Sequence, residues 1–435
     1  MVIVRGSLFD NFLSSRTGVQ KASHDPCGQR LLEALRLKYK MAAVEKVNVR
    51  DITGQGRGLE ATSLIWPSQQ VVSLPFAAVI TSDMARKSMV VTKEDVDISM
   101  LSDWSVLALW LCQLRENCGS LGGEDISLDD YHERYREILP ESTGGILEWD
   151  ERCRGLLKGS YLKSLADDMI KAAELSYDEI CLMHVDVGRL EFMASLSILL
   201  SRLVRLEVGQ QESIEALCPC LDFANHTSRS KSFIRYNPHA DSVEIVADRV
   251  YKPGDQVCIN YGEKTNGEIL LSYGFIPKDN SYDACLLDLT ISNKYVEAIM
   301  EGMDLPTQKV FPLQMSAIPE GLLRYAVVAS LEPETEEEAK VAIHSLYPNG
   351  CSGEDSKENK DVNLSRQMRL QALTWLLSYC KSKSGTYALG LQEAKELAVS
   401  SHSSDIEMMI GQAILQEHRI LARAQFIMSQ MKREV

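Results

Sequence analysis

Between Leu217 and Tyr273 the sequence gathers Asp222, Asn225–His226, Asn260–Tyr261, Asn266 and Tyr273 into one short stretch. Asn225 and His226 close a hydrophobic, strand-like piece, Cys218–Ala224. Alone the pair reads as a polar strand end; buried, it needs hydrogen-bond partners, and a nucleotide-like ligand can supply them. Tyr261 and Tyr273 fit the usual habit of strand tyrosines, with the ring in the core and the hydroxyl at the rim. Ser201–Arg202 ends a helical stretch just upstream. An arginine there is most often a solvated surface group, but its planar fork also suits a carboxylate. The Gly54–Gln55–Gly56–Arg57–Gly58 turn has the glycines of a dinucleotide loop. It leads into Leu59–Ser63, Pro67 and a β-rich run rather than a helix, so a plain hairpin turn reads better. Cys218–Pro219–Cys220 has no second cysteine pair at suitable spacing, and no metal is expected.

The elements that must position these residues emerge from hydrophobic periodicity. Leu31–Lys40 is spaced as a helix. Val44, Val47 and Val49, and then Val71, Val72 and Leu74, form extended runs on either side of the glycine turn. From Asp83 to about Gln210 the pattern is helical, with Trp104–Arg115, Tyr161–Leu175 and Phe192–Leu206 carrying apolar residues at helical spacing. Leu217–Tyr261 alternates apolar and polar residues around Asn237–Pro238 and Pro253–Gly254, the mark of short strands. Strand pieces therefore flank a helical insert. Beyond Asp288 helical spacing returns in Tyr325–Leu331, Leu364–Cys380 and Asp405–Met431, and the polar stretch Asn349–Asn363 reads as a loop.

The whole chain has 435 residues, 45% of them hydrophobic and 25% charged, enough for two or three packed domains. No apolar run reaches the roughly 20 residues of a membrane-spanning helix. Eleven scattered cysteines suit a reducing, intracellular compartment, the cytoplasm or nucleus. A net charge of −15 argues against a nucleic-acid binder and favours a basic protein partner. The segment Met1–Gln29 carries Arg5, Arg16, Lys21 and several serines, in the manner of an organelle transit peptide, although Asp10 and Asp25 run against that composition; a chloroplast address is the alternative.

Read as LCPCLDFANH and then VYKPGDQVCINYGEKTNGEILLSYGF, the stretch resembles the carboxyl half of a SET domain of the Rubisco large-subunit methyltransferase type. The likeness extends in order through the glycine turn, the helical insert, Ser201–Arg202 and the carboxyl helices. It implies an α+β chain: residues 1–30 a leader or flexible terminus, residues 31–285 a SET domain of small curled sheets with a helical insert at about 86–210, and residues 286–435 an all-α substrate-binding domain. A threaded carboxyl segment, rare among folds, comes with that family.

The resemblance also implies S-adenosyl-L-methionine as cofactor. Gln55, Gly56 and Arg57 then lie along it, Ser201 and Arg202 meet its methionine end, and Asp222, Asn225, His226 and Tyr261 complete its site. Tyr261 and Tyr273 become the catalytic pair, with Tyr236 and Tyr273 beside the substrate lysine. Such a reaction is an in-line displacement from a sulfonium to a neutral amine, so alignment and exclusion of water do most of the work. The sequence departs from the pattern at Gln55, where relatives often carry an acidic residue. It also lacks the cysteine-rich cluster that histone-directed SET proteins place after the catalytic tyrosine; only Cys285 follows nearby. The implied activity is lysine N-methylation of a non-histone protein by a monomer, without nucleic acid or membrane. Two alternatives stand beside it: methylation of a histidine, as some relatives do on actin, and a binding protein that keeps the fold without turnover. Gln55 and the Ile65–Trp66–Pro67–Ser68 stretch are the departures that favour the last.

Overall fold

The structure is a computed structural model that describes residues 22–39, 46–89, 98–116, 130–209, 212–347 and 364–435. The basic residues of the expected leader, Arg5, Arg16 and Lys21, and the expected loop Asn349–Asn363 lie outside the described residues. The chain forms two compact units that interleave along the sequence. One comprises Met1–Glu148, Lys171–Glu263 and Asp279–Ser281; the other comprises Trp149–Ile170, Lys264–Lys278 and Tyr282–Val435.

The first unit contains eleven strands among its described residues: β1 (Ala22–His24), β2 (Val47–Ile52), β3 (Gly56–Ala61), β4 (Gln70–Pro75), β5 (Ile80–Thr81), β6 (Val204–Glu207), β7 (Ser213–Leu217), β8 (Asn225–His226), β9 (Ile234–Asn237), β10 (Ser242–Val246) and β11 (Gln256–Ile259). They make three small sheets, ordered β1-β2-β3-β11-β8, β4-β10-β9 and β5-β7-β6. β2 and β3 pair antiparallel from Val47↔Ala61 to Ile52↔Gly56. The turn between them is tight because Gly54 and Gly56 hold φ of 75° and 70°, a region that only glycine enters freely. The turn thus joins β2 to β3, a strand not among the two extended runs read from the sequence, and the second of those runs, Val71, Val72 and Leu74, forms β4.

Residues 22–30, assigned to the leader on sequence grounds, are built into this unit. β1 pairs with β2, and Asp25 caps the helix Pro26–Tyr39 by accepting the N–H groups of Cys27 and Gly28, each at 3.1 Å. Burial would raise the Asp25 pKa, but the Arg57 guanidinium and the two amides outweigh it and hold the carboxyl below its usual value. The helical insert supplies Asp103–Glu116, Asp130–Arg136 and Arg189–Arg202 to this unit. The last of these stops at Arg202, not Leu206: Leu203 is already extended, and Val204–Glu207 pairs antiparallel with β7. Apolar spacing alone does not separate these outcomes, and strand pairing decides between them. Phe192, Phe223, Tyr251, Leu31 and Leu59 are among the buried side chains of the core; each such burial stabilises by about 1.5–3 kcal/mol.

The second unit is mainly helical but not all-α. Cys285–Thr290 and Gln308–Leu313 pair antiparallel along six residues, and Cys285, Leu287 and Leu289 alternate inward. That period of two, inside a segment read as helical, is what makes it a strand. Helices Leu322–Ala329, Glu336–Leu346, Arg366–Ser384, Leu391–Leu397 and Asp405–Glu434 come after it, and the last opens on a Ser404–Glu407 capping box. Tyr273, expected near the end of a β region, instead ends the helix Asn266–Tyr273. Thr265 and Glu268 cap that helix at its start, and Gly274, with φ 71°, ends it.

Deep in this unit Glu417 accepts hydrogen bonds from Ser160 (2.8 Å) and Tyr387 (2.7 Å). Burial pushes its pKa up to about 7. A folded pKa above the unfolded one stabilises below the unfolded value and loses that stabilisation as pH rises through about 7. The melting temperature of the wild type should therefore fall relative to that of Glu417→Gln between pH 5 and 8; parallel curves for the two proteins would contradict this.

Candidate active site

Three pieces of the first unit converge on one buried cluster. The helix Arg189–Arg202 is fixed by buried Phe192, Met193, Leu196, Ile198 and Leu199, which leaves Arg202 in its last turn, where a cation is favoured by the helix dipole. The 3-10 turn Leu221–Phe223 buries both of its apolar residues and so fixes Asp222 between them. The short helix Asp130–Arg136 adds Tyr135, which has no exposed surface. Arg202 Nη1 donates to Asp222 Oδ2 at 3.0 Å and to the Asp222 carbonyl at 3.3 Å, and the Tyr135 hydroxyl donates to the same Oδ2 at 2.8 Å.

The Asp222 side chain is 1% exposed and that of Arg202 17%. Burial works against the Arg202 charge, but the Asp222 carboxylate more than offsets it and the guanidinium pKa rises. Burial and then the nearby Asp222 charge push the Tyr135 phenol well up, so it is a neutral donor. Removing one member of a buried pair like this costs about 3–5 kcal/mol.

β8 lies parallel to β11, with Asn225 opposite Cys258 and His226 opposite Ile259. Just past β11, Tyr261 turns back onto β8. Its N–H donates to His226 Nδ1 at 3.1 Å and its hydroxyl to the Ala224 carbonyl at 2.9 Å, with the two rings 5.1 Å apart. Burial lowers the His226 pKa, and an accepting Nδ1 places the proton of the neutral ring on Nε2. β3 runs alongside: a Cβ on Gly58 would meet Asn225 Nδ2 at 2.9 Å and Ile52 Cγ1 at 2.8 Å. Arg202 Nε, Asp222 Oδ1 and Asn225 Nδ2 are buried with no hydrogen-bond partner among the described residues. Buried polar atoms are normally paired, and each one left bare costs about 1–3 kcal/mol. Three in one cluster leave two donors and an acceptor open to a polar ligand or to water.

Of the residues singled out in the sequence, Arg202, Asp222, Asn225, His226 and Tyr261 come together here. Ser201 donates to the Ile198 carbonyl within its own helix. Gln55 and Gly56 are exposed on the β2–β3 turn, where Gln55 accepts from Gln256 at 3.0 Å. Arg57 pairs with Asp25, donates to the Ile138 carbonyl at 2.9 Å and lies over the Phe223 ring. Tyr236 donates to Asp241 at 2.9 Å and packs edge-on against Phe76. Tyr273 belongs to the second unit; its ring meets that of Phe275 edge-on, and burial raises its phenol to about 12. Tyr135 was not foreseen: a lone tyrosine in a helical insert has no motif to announce it. Gly58 stood inside the quoted turn, and only the packing of β3 against β8 separates it from its neighbours.

The SET domain family matches residues 56–262, and the Rubisco LSMT substrate-binding family matches residues 297–421. Two solved structures match nearly the whole chain at 20% identity. One is the SET domain of LSMT bound to MeLysine and AdoHcy, with TM-score 0.71 over 95% of this chain and 93% of that one. The other is Rubisco LSMT bound to AdoMet, with TM-score 0.68 over 94% and 93%. At that identity the likeness establishes the fold.

Actin-histidine N-methyltransferase of Canis lupus familiaris is 28% identical over 216 residues, which are 48% of this chain and 36% of that protein. Ribosomal lysine N-methyltransferase set10 of Schizosaccharomyces pombe is 26% identical over 236 residues, 52% of this chain and 41% of that protein. The chain thus spans well under half the length of either relative. The fold and cluster define a SET-domain protein. With a Rubisco LSMT substrate-binding domain after the SET domain, it is of the Rubisco LSMT-like type.

Gly58→Ala should destabilise the protein by about 1–3 kcal/mol, the usual cost of overpacking, and should displace the Asn225 amide. Chemical denaturation together with the Asn225 side-chain NMR signal tests this, and an unshifted signal with unchanged stability would refute the close packing described.

Proposed function

We propose that the protein is an S-adenosyl-L-methionine-dependent protein-lysine N-methyltransferase acting on a non-histone protein. The observation that carries this reading is the cluster of Arg202, Asp222, Asn225, His226 and Tyr261 on a SET-domain framework, with buried polar atoms left for a ligand. The donor set fits that cofactor. Arg202 offers guanidinium N–H groups to an amino-acid carboxylate, the Asn225 amide offers N–H donors, and Gly58 has no side chain to crowd them.

When bound, S-adenosylmethionine supplies a methyl group activated by sulfonium charge. The chain's residues supply alignment. The Tyr261 phenol is held in place by its bond to the Ala224 carbonyl, and its oxygen keeps lone pairs that can accept an N–H of an incoming amine. The phenol and carbonyl oxygens present partial negative charge to a reacting centre that carries positive charge. The Tyr261 hydroxyl would hold a neutral acceptor amine in line with that methyl group, and the amine proton would leave to solvent. His226 spends Nδ1 on the Tyr261 amide and has a lowered pKa, so it serves as a positioning group rather than a strong base.

Lysine is favoured as acceptor by the retained Tyr273, a partly buried phenol that burial keeps neutral. Histidine is a second reading, favoured by the likeness to the actin-histidine enzyme of Canis lupus familiaris; set10 acts on ribosomal lysine.

Calorimetric titration with S-adenosylmethionine should give binding in the micromolar range that weakens in Asn225→Ala, provided the variant is folded; no binding by the intact protein would remove the enzyme reading. In Tyr261→Phe, cofactor affinity should stay within about twofold while turnover falls by about a hundredfold, the size of a lost transition-state contact. Equal loss of both would contradict the role given to its hydroxyl. Mass spectrometry of methylated products separates the acceptors, a methyl on lysine Nζ supporting the first reading and one on an imidazole the second.

A further inference from the structure

Asp222 is held in an unequal way. Its Oδ2 accepts from both Arg202 Nη1 and the Tyr135 hydroxyl, while its Oδ1 has no partner among the described residues. The guanidinium is correspondingly attached by a single nitrogen. Nη1 makes both bonds to Asp222, one to the carboxylate and one to the carbonyl, and Nε is left without a partner among the described residues.

The alternative open to an arginine beside a carboxylate is the two-pronged pair, in which two guanidinium nitrogens meet the two oxygens. That pair would consume the same fork that binds an external carboxylate. A second donor on Oδ2 disfavours it. The Tyr135 hydroxyl fixes the orientation of the carboxylate and takes up part of its accepting capacity, and full burial of the ring keeps the hydroxyl from swinging away. A two-pronged pair on this edge would join Nη2 to the unpaired Oδ1, and so take Nη2 from the Nε–Nη2 edge that a second carboxylate would meet.

We infer that Tyr135 is a positioning residue that keeps the Arg202–Asp222 pair one-pronged, so that the Arg202 fork stays available to a carboxylate-bearing ligand. The inference rests on the cofactor reading proposed above and goes beyond it by giving the helical insert a part in ligand selection. Tyr135 touches no ligand itself; it acts through Asp222 on Arg202.

The test compares two ligands that differ in the carboxylate. S-adenosylmethionine carries an amino-acid end on its sulfonium, whereas 5′-methylthioadenosine has the same nucleoside with a neutral thioether and no amino-acid end. Calorimetry on folded Tyr135→Phe should show S-adenosylmethionine weakened by about tenfold, the weight of one well-formed hydrogen bond, and 5′-methylthioadenosine changed by less than about twofold. Adding Tyr135→Phe to Arg202→Ala should change neither affinity further. Equal weakening of both ligands, or of neither, would overturn the inference, because a merely structural tyrosine does not distinguish them. Should Tyr135→Phe fail to fold, Arg202→Ala alone decides: loss confined to S-adenosylmethionine supports a carboxylate-reading fork, and equal loss of both ligands overturns it. A wild-type protein that binds neither ligand defeats the cofactor reading itself; a wild type that binds S-adenosylmethionine with Tyr135→Phe indistinguishable from it defeats this inference alone.

Discussion

The buried pair between Arg202 and Asp222 is the interaction on which the rest of the first unit depends. A carboxylate with 1% exposure is tolerable only with charge and hydrogen bonds around it, and those come from two places far apart in sequence: the end of helix Arg189–Arg202 and the helix Asp130–Arg136. The helical insert is thereby tied to the strand-rich half by polar contacts as well as by packing. The same constraint explains why the helix must end where it does. One more turn would carry residues 203–206 away from their pairing with β7, and Arg202 would no longer sit in the last turn over Asp222.

A second layer of order surrounds this pair. β3, β11 and β8 lie side by side, so the glycine of β3, the Asn225–His226 pair of β8 and the tyrosine just past β11 are brought together by strand pairing. Each contact has a physical reason: Gly58 because a Cβ would collide with Asn225, His226 because its ring accepts the Tyr261 amide, Tyr261 because Ala224 receives its hydroxyl. After these bonds, Arg202, Asp222 and Asn225 each still carry a buried polar atom with no partner among the described residues. Folded proteins seldom leave such atoms bare without use, which is why the cluster reads as a ligand site rather than as core.

Much of this was legible in the sequence, and the reasons are specific. Asp222, Asn225, His226 and Tyr261 stand close together in a recognisable order, so chain proximity alone nearly delivers their spatial proximity. Arg202 was reached through the Ser201–Arg202 pair. The coarse alternation of strand, helix and strand came from periodicity, which is strongest for long segments such as Asp405–Glu434.

The features that were not legible depend on tertiary choice. Tyr135 contributes through one hydroxyl across 87 residues of chain, and no local pattern signals that. Arg57, offered as a cofactor contact, is occupied by Asp25, a partner hidden in what read as a leader. The strand Cys285–Thr290 and the helix Asn266–Tyr273 were misread because short apolar runs fit either period until a partner strand or a capping box decides. The central claim is that the unpaired atoms of Arg202 and Asn225 are the ligand's hydrogen-bond partners. Nitrogen-15 NMR of the Arg202 Nε–H and the Asn225 side-chain amide, with and without S-adenosylmethionine, tests it most directly. The account predicts that both signals move on saturation while the Asn266 side-chain amide, already bonded to Asp283, stays in place. Binding that leaves the Arg202 and Asn225 signals unmoved would contradict it.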